Sequence, residues 1–227
     1  MKKPIYSIKN LILNKGKDKI LNINKFDLHR GAMYLFNGHV GSGKSSLMNI
    51  FSKNQIISDD MVFYEGKDLN QISKSVYQND FSYLKEKNDK PWFAGISSNY
   101  LKKIIKKGNP KNADSAYGKI CNSMKIPSST MKKNVSDLTN GEFRWLLLAS
   151  KIAIDNKVLF IDYIDKYLDY NKRMILNRLL KRKTSYDGVT IIGTTYNPEA
   201  FKMSTSVHIK IDKGRITQVR STSNKSK

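Results

Sequence analysis

Short β-rich runs closed by turn residues alternate along this chain with longer segments of helical periodicity. Ile5 to Ile8 and Ile20 to Ile23 pattern as short strands, and Ala32 to Asn37 (AMYLFN) is a β-rich run bounded by Gly31 and Gly38. Ser45 to Phe51 reads as the start of a helix. From Asn99 to about Lys133, Leu101, Ile104 and Ile105 recur at helical spacing, and Gly108, Pro110 and Pro127 break the segment. After Gly141, EFRWLLLASKIAI predicts a strongly apolar helix, and Lys157 to Asp162 a strand. Arg173 to Lys183 predicts an amphipathic helix, Val189 to Gly193 a buried strand, and Val207 to Val219 a hairpin turning at Lys213 and Gly214. Strands alternating with helices predict an α/β protein with a largely parallel sheet. The helical middle, about 78–140, is then a subdomain inserted between core portions of about 1–77 and 141–220. The polar tail Ser221 to Lys227 is expected to be disordered.

Composition narrows the setting. A chain of 227 residues can bury one substantial core, so one domain over 1–220 is expected. Cys121 is the only cysteine, which rules out an internal disulfide and fits a reducing compartment. No apolar run approaches the roughly 18 residues of a spanning helix, so the expected place is the cytoplasm, with any membrane reached through a partner. The formal charge of +22 implies attraction to anionic surfaces such as nucleic acid, acidic lipid or an acidic protein. Between Asn99 and Lys133 there are nine lysines, no arginine and a single acid, Asp114. A solvated face in a Lys-, Asn- and Ile-rich chain accounts for the same excess, and nucleic acid is not favoured, since arginines and aromatics are sparse there.

The motif GHVGSGKSS, Gly38 to Ser46, fits G-x-x-x-x-G-K-[ST] between a predicted strand and a predicted helix. Gly41 and Gly43 permit the backbone to turn successive amides inward, and those amides and the helix N-terminus stabilise phosphate charge. Gly38, Gly41, Ser42, Gly43, Lys44, Ser45 and Ser46 are the expected nucleotide cradle. Lys44 is placed to reach the β and γ phosphates and Ser45 to hold Mg²⁺. Asp162, after the apolar run VLFI, is the candidate second metal contact, with a plain strand-end acid as the alternative.

The order of motifs from Ile5 to Val219 resembles the ATP-binding domain of ABC proteins. Gln78, in SVYQND, resembles the family's Q-loop glutamine, which implies a contact with Mg²⁺ and water. WFAGISSN, Trp92 to Asn99, is similar to the segment before the helical subdomain. LTNGE resembles the signature LSGGQ, KYLD (Lys166 to Asp169) the D-loop, and IKIDKGRITQV the closing hairpin. The resemblance implies a P-loop NTPase core with an N-terminal antiparallel β portion and an inserted helical subdomain. It also implies bound ATP and Mg²⁺, a head-to-tail dimer with a second ABC-type subunit, and a separately encoded transmembrane subunit. In that dimer Thr139, Asn140 and Gly141 would bind the partner's nucleotide in trans; helix capping by Thr139 is the alternative.

Three departures accompany the resemblance. Tyr163 stands where the family has a glutamate that polarises water, and a phenol with a reference pKa near 10 is a poor base. Asp165, two residues on, is a candidate substitute. Thr195 aligns with the switch histidine, and Asn140 replaces the first signature glycine. No aromatic for adenine stacking is obvious; Asn14 lies near the expected position, with Tyr6 a weak substitute. The resulting expectation is an ABC transporter ATP-binding subunit with slow or partner-dependent hydrolysis. A non-hydrolysing nucleotide-gated scaffold, or a soluble ABC-type protein on nucleic acid, stands as the alternative.

Overall fold

The computed structural model describes residues 3–222. β1 (Tyr6–Lys15) and β2 (Asp18–Leu28) extend well past the apolar runs that announce them, because they pair antiparallel over almost their full length. β3 (Met33–Asn37) runs through the glycine loop into α1 (Lys44–Phe51). β4 (Val62–Tyr64), β5 (Lys67–Asp68), α2 (Lys74–Gln78) and β6 (Phe81–Leu84) follow. The glycine and prolines of the helical middle separate α3 (Ser97–Gly108), α4 (Ala113–Ser123) and α5 (Ser128–Lys132). Next come α6 (Asn140–Ile154), β7 (Val158–Ile161), α7 (Tyr170–Ser185) and β8 (Thr190–Thr195). The hairpin β9 (Val207–Asp212) and β10 (Arg215–Ser221) closes the chain. Of the tail expected to be disordered, Ser221 ends β10 and Thr222 Oγ1 donates to the Thr205 carbonyl at 2.6 Å; residues 223–227 lie outside the described part.

One sheet has the order β2-β1-β4-β5 and is antiparallel; the other has the order β10-β9-β3-β8-β7-β6. In the second, β9, β3, β8, β7 and β6 are parallel, with β10 antiparallel at one edge. Its central strands β3, β7 and β8 are buried on both sides, as a sheet covered on both faces requires. Met33, Leu35, Leu159 and Ile161 face α6 and the other helices, while Tyr34, Phe36, Val158 and Phe160 face the antiparallel sheet and α1. Lys102, Lys103, Lys106 and Lys107 lie on the exposed side of α3. Among the described residues no helix is long and apolar enough to cross a membrane.

The helical middle was expected to begin near residue 78, but β6 belongs to the core sheet. Phe81 to Leu84 pair in register with Val158 to Ile161, which pulls this segment out of the helical part. Its pattern FSYL carries one polar and one amphipathic residue in four, so its sequence signal is weak. Phe160 is fully buried at the centre of an aromatic cluster, with its ring 5.5 Å from Phe81, 6.1 Å from Phe51 and 6.2 Å from Tyr6. Phe160→Ala is expected to lower the free energy of unfolding by about 3–5 kcal/mol in urea titration, and Phe160→Leu by less, since the cavity is smaller.

Candidate functional site

The glycine loop is shaped by close backbone packing. A Cβ on Gly38 would sit 2.1 Å from the Ile211 carbonyl oxygen, and one on Gly43 would sit 2.6 Å from Leu21 Cδ2. Gly43 also has φ 102°, which L side chains rarely adopt. The loop therefore folds against β2 and β9 and borders one groove of about 490 Å³, lined by Leu13, Asn14, Gly41, Ser45, Ser46 and Tyr163 among others. Lys44 is almost fully buried. Its ammonium donates to the carbonyls of Gly38 (2.7 Å) and His39 (2.8 Å) and to Ser42 Oγ (3.2 Å). Burial lowers its pKa, and the nearby Asp162 opposes that shift.

Asp162 follows the last residue of β7. The register places Leu84, Ile161 and Gly193 side by side, so β6 and β7 end together, and β8 ends level with β3 two residues further on, beside the loop that follows β3. The Asp162 carboxylate accepts from Thr194 Oγ1 at 2.5 Å and from Ser45 Oγ at 3.2 Å. Burial raises its pKa, the two hydroxyls counter this, and the charge of Glu86 adds to it. Among the described residues no cation forms an ion pair with this carboxylate. A buried acid with hydroxyl neighbours and an all-oxygen donor set fits a hard divalent cation such as Mg²⁺.

Arg144, from α6, braces this end of the sheet from below. Its guanidinium donates to the carbonyls of Lys85, Asp162 (2.5 Å) and Tyr163 (3.1 Å), with the side chain almost wholly buried and its pKa pushed down to about 10 by burial. One planar fork thus ties the ends of β6 and β7 together. A lone arginine in the apolar run EFRWLLLAS was the sequence signal for it. Tyr163 takes a left-handed φ of 50°, held by its N–H donating to Thr194 Oγ1 at 2.7 Å. Its ring stacks on Tyr196, centroids 4.5 Å apart at 29°. Burial pushes the Tyr163 phenol further up, so it is a still poorer proton acceptor.

The structure brings together Gly38, Gly41, Ser42, Gly43, Lys44, Ser45, Ser46, Asp162 and Tyr163, and it moves two expected residues away. Gln78 is exposed at the end of α2, before the start of β6, whereas the site lies beyond the other end of that strand. Asp80 bonds to Val158 and Leu84 to Asp162, so the two ends are roughly 13 Å apart at 3.3 Å per residue. The residue that follows β6 at the site is Glu86, whose carboxylate pairs with Lys166 at 3.0 Å. Thr195 is also displaced: β8 runs two residues further than its apolar run, burying Thr195 completely with its hydroxyl accepting from the Asn197 N–H at 3.0 Å. Tyr196 is the first side chain to emerge at the site. Asp165 accepts from the same Asn197 N–H at 3.3 Å and shapes that turn.

Tyr6 is buried at the core, bonded to Tyr77, and cannot face a base, whereas Asn14 lines the groove as expected. Thr139, Asn140 and Gly141 stand at the N-terminus of α6, outside the Lys44 groove. Thr139 and Asn140 are exposed there. Thr139 does cap the helix: its hydroxyl accepts from the Glu142 N–H at 3.1 Å, and Glu142 Oε2 accepts from the Thr139 N–H at 2.8 Å. The hydroxyl proton of Thr139 remains available to a further acceptor. Glu142 also pairs with Lys133 at 2.8 Å, and these contacts hold its pKa down at about 2.

The family model described as ABC transporter matches residues 21–163. The probable iron export ATP-binding protein FetA of Escherichia coli (strain K12) is 24% identical over 199 residues, covering 86% of this chain and 86% of that protein. The ATP-binding protein Uup of Buchnera aphidicola subsp. Schizaphis graminum (strain Sg) is 26% identical over 218 residues, 94% of this chain and 34% of that protein, so the chain spans about a third of its length. Among solved structures, a dimeric ATP-binding cassette in a post-hydrolysis state with ADP and Pi superposes with TM-score 0.80 at 15% identity, covering 95% of this chain and 98% of that one.

Removing the guanidinium takes a donor from the carbonyls of Lys85, Asp162 and Tyr163. Arg144→Ala is therefore expected to cost about 2–5 kcal/mol of stability in chemical denaturation, with Arg144→Lys recovering only part. The capping box carries a pH signature. Because the folded pKa of Glu142 lies below its unfolded value near 4.3, its stabilisation is complete above about pH 4.3 and fades as pH falls toward 2. The difference in thermal midpoint between the wild type and Glu142→Gln should shrink as melts are taken from pH 7 down to pH 3.

Proposed function

Because the chain belongs to the ABC transporter family, as its ATP-binding cassette, we propose that it binds MgATP and dimerises head to tail while turning ATP over slowly by itself. The observation that carries this reading is the 3.2 Å contact between Ser45 and Asp162, residues 117 positions apart. It unites a loop of phosphate-binding pattern with a buried acid that forms no ion pair among the described residues. The loop amides and the N-terminus of α1 would hold the phosphates. Phosphate oxygens would take over the Lys44 ammonium from the carbonyls of Gly38 and His39 that it now serves. Ser45 and Asp162 would hold Mg²⁺, which supplies charge neutralisation at the β and γ phosphates when bound.

Hydrolysis needs a group to take a proton from the attacking water. Tyr163 occupies the expected position of the base, Tyr196 the first place beyond β8, and Glu86 the place beyond β6. Asp165 is engaged with the turn at Asn197. Without a general base the rate falls roughly 10²- to 10⁴-fold. Thr139, Asn140 and Gly141 face solvent away from their own groove, which supports their use on a nucleotide held by a second chain, identical or not. The same arrangement supports a cytoplasmic subunit working beneath a separate membrane-spanning protein, since no helix among the described residues can span one. Two tyrosines where chemistry is expected favour a second reading, a nucleotide-gated scaffold that dimerises on ATP and scarcely hydrolyses it.

Equilibrium titration with MgATP should show binding that Lys44→Ala weakens roughly 10- to 100-fold, the loss of a charge-assisted hydrogen bond. Asp162→Asn should weaken binding of MgATP more than binding of metal-free ATP. Steady-state turnover of the chain alone should lie at least about 10²-fold below the median enzyme value of about 10 s⁻¹. Turnover near that median would refute the slow-site reading, and unchanged ATP binding in Lys44→Ala would refute nucleotide binding at this loop.

A further inference from the structure

Tyr163 and Tyr196 follow different strands and meet beside Lys44, the side chain expected to reach the terminal phosphates. Tyr163 follows β7 and Tyr196 follows β8, and their rings stack with centroids 4.5 Å apart. The Lys44 ammonium stands 6.0 Å from the centre of the first ring and 5.6 Å from that of the second. The ammonium therefore lies close to both rings.

The two rings are held differently. Tyr163 is 7% exposed, its N–H is bound by Thr194, and its carbonyl accepts from Arg144 and from the Lys166 N–H at 3.0 Å. Tyr196 is 56% exposed and leans on Tyr163 from the solvent side. A fixed inner ring and an accessible outer ring suit a pocket that must admit an anion and then close on it. Phenylalanine would preserve the ring stack, so what the phenols add is their hydroxyls, which stand close enough to hydrogen-bond with each other before any anion enters. Each phenol has one O–H to donate, and a phosphate held by Lys44 would be an acceptor beside both.

We infer that Tyr163 and Tyr196 form a phenolic clamp on the terminal phosphate of the bound nucleoside triphosphate, making the site selective for the triphosphate over the diphosphate. The inference rests on nucleotide binding at the Lys44 loop. In the clamp both hydroxyls donate to γ-phosphate oxygens and the rings occupy the room beside that phosphate. The residues that replace hydrolytic groups thus serve to recognise the uncleaved nucleotide.

The test is a titration of the full chain with fluorescent ATP and ADP in the presence of Mg²⁺. It is made on wild type, Tyr163→Phe, Tyr196→Phe and the double variant, each checked by thermal melting. Phenylalanine keeps the stack, and the exposure of Tyr196 makes its substitution safe for folding. The wild type should prefer ATP to ADP, and the double variant should lose roughly 10-fold or more in ATP affinity while its ADP affinity stays constant. Equal losses for both nucleotides, or no change in the ratio, would overturn the clamp while leaving the nucleotide reading intact. A wild type that binds neither nucleotide would overturn both.

Discussion

Everything at this site depends on parallel strands ending in register. Leu84, Ile161 and Gly193 lie side by side in adjacent strands, and Leu35 of β3 pairs with Gly193 in turn. Residues that follow those four strands are therefore delivered to one edge of the sheet: the loop Gly38 to Ser46, Glu86, Asp162 with Tyr163, and Tyr196. A slip of one residue in a single strand would send its side chains to the opposite faces and separate these groups. The apolar runs on both faces of the sheet hold the register, because Leu159 and Ile161 pack against the helices while Val158 and Phe160 pack against the aromatic cluster.

The polar groups at that edge complete what the register begins. Strand ends inside a protein leave carbonyls that need donors. Arg144 supplies them to Lys85, Asp162 and Tyr163, and Thr194 joins the Tyr163 N–H to the Asp162 carboxylate. Arg144 also belongs to α6, the helix whose N-terminus carries Thr139, Asn140 and Gly141. One rigid element thus joins the site's own acid to the surface proposed to meet a second chain. A shift of α6 on dimerisation would move the carbonyls of Asp162 and Tyr163 with it.

The amino-acid pattern was informative where one element carries its own signal. The glycine loop before a helix, the apolar helix after Gly141, the VLFI strand ending at Asp162 and the hairpin at Lys213 and Gly214 all stand where their residue types predict them. It misled at Gln78 and Thr195. β6 has only four residues, with serine and tyrosine among them, so no apolar run marked its end as the place to count from. Thr194 and Thr195 read as the polar start of a loop, yet both are fully buried, because their hydroxyls are satisfied by Asp162, Tyr163 and Asn197. A hydrogen-bonded threonine is as good a strand residue as valine, and only its partners reveal that.

By itself the sequence determined the α/β class, the glycine loop between strand and helix, the acid that ends the VLFI strand and the tyrosine that follows it, since each rests on local residue chemistry and the periodicity of one element. The tertiary structure alone decided that Glu86 replaces Gln78 at the site, that Tyr196 replaces Thr195, and that Arg144 braces two strand ends. It also decided that Tyr163 has an aromatic partner beside Lys44. The physical reason is that strand pairing sets where each strand ends, and a strand's end selects which side chain meets the groove; pairing is a relation between distant segments that no single stretch encodes.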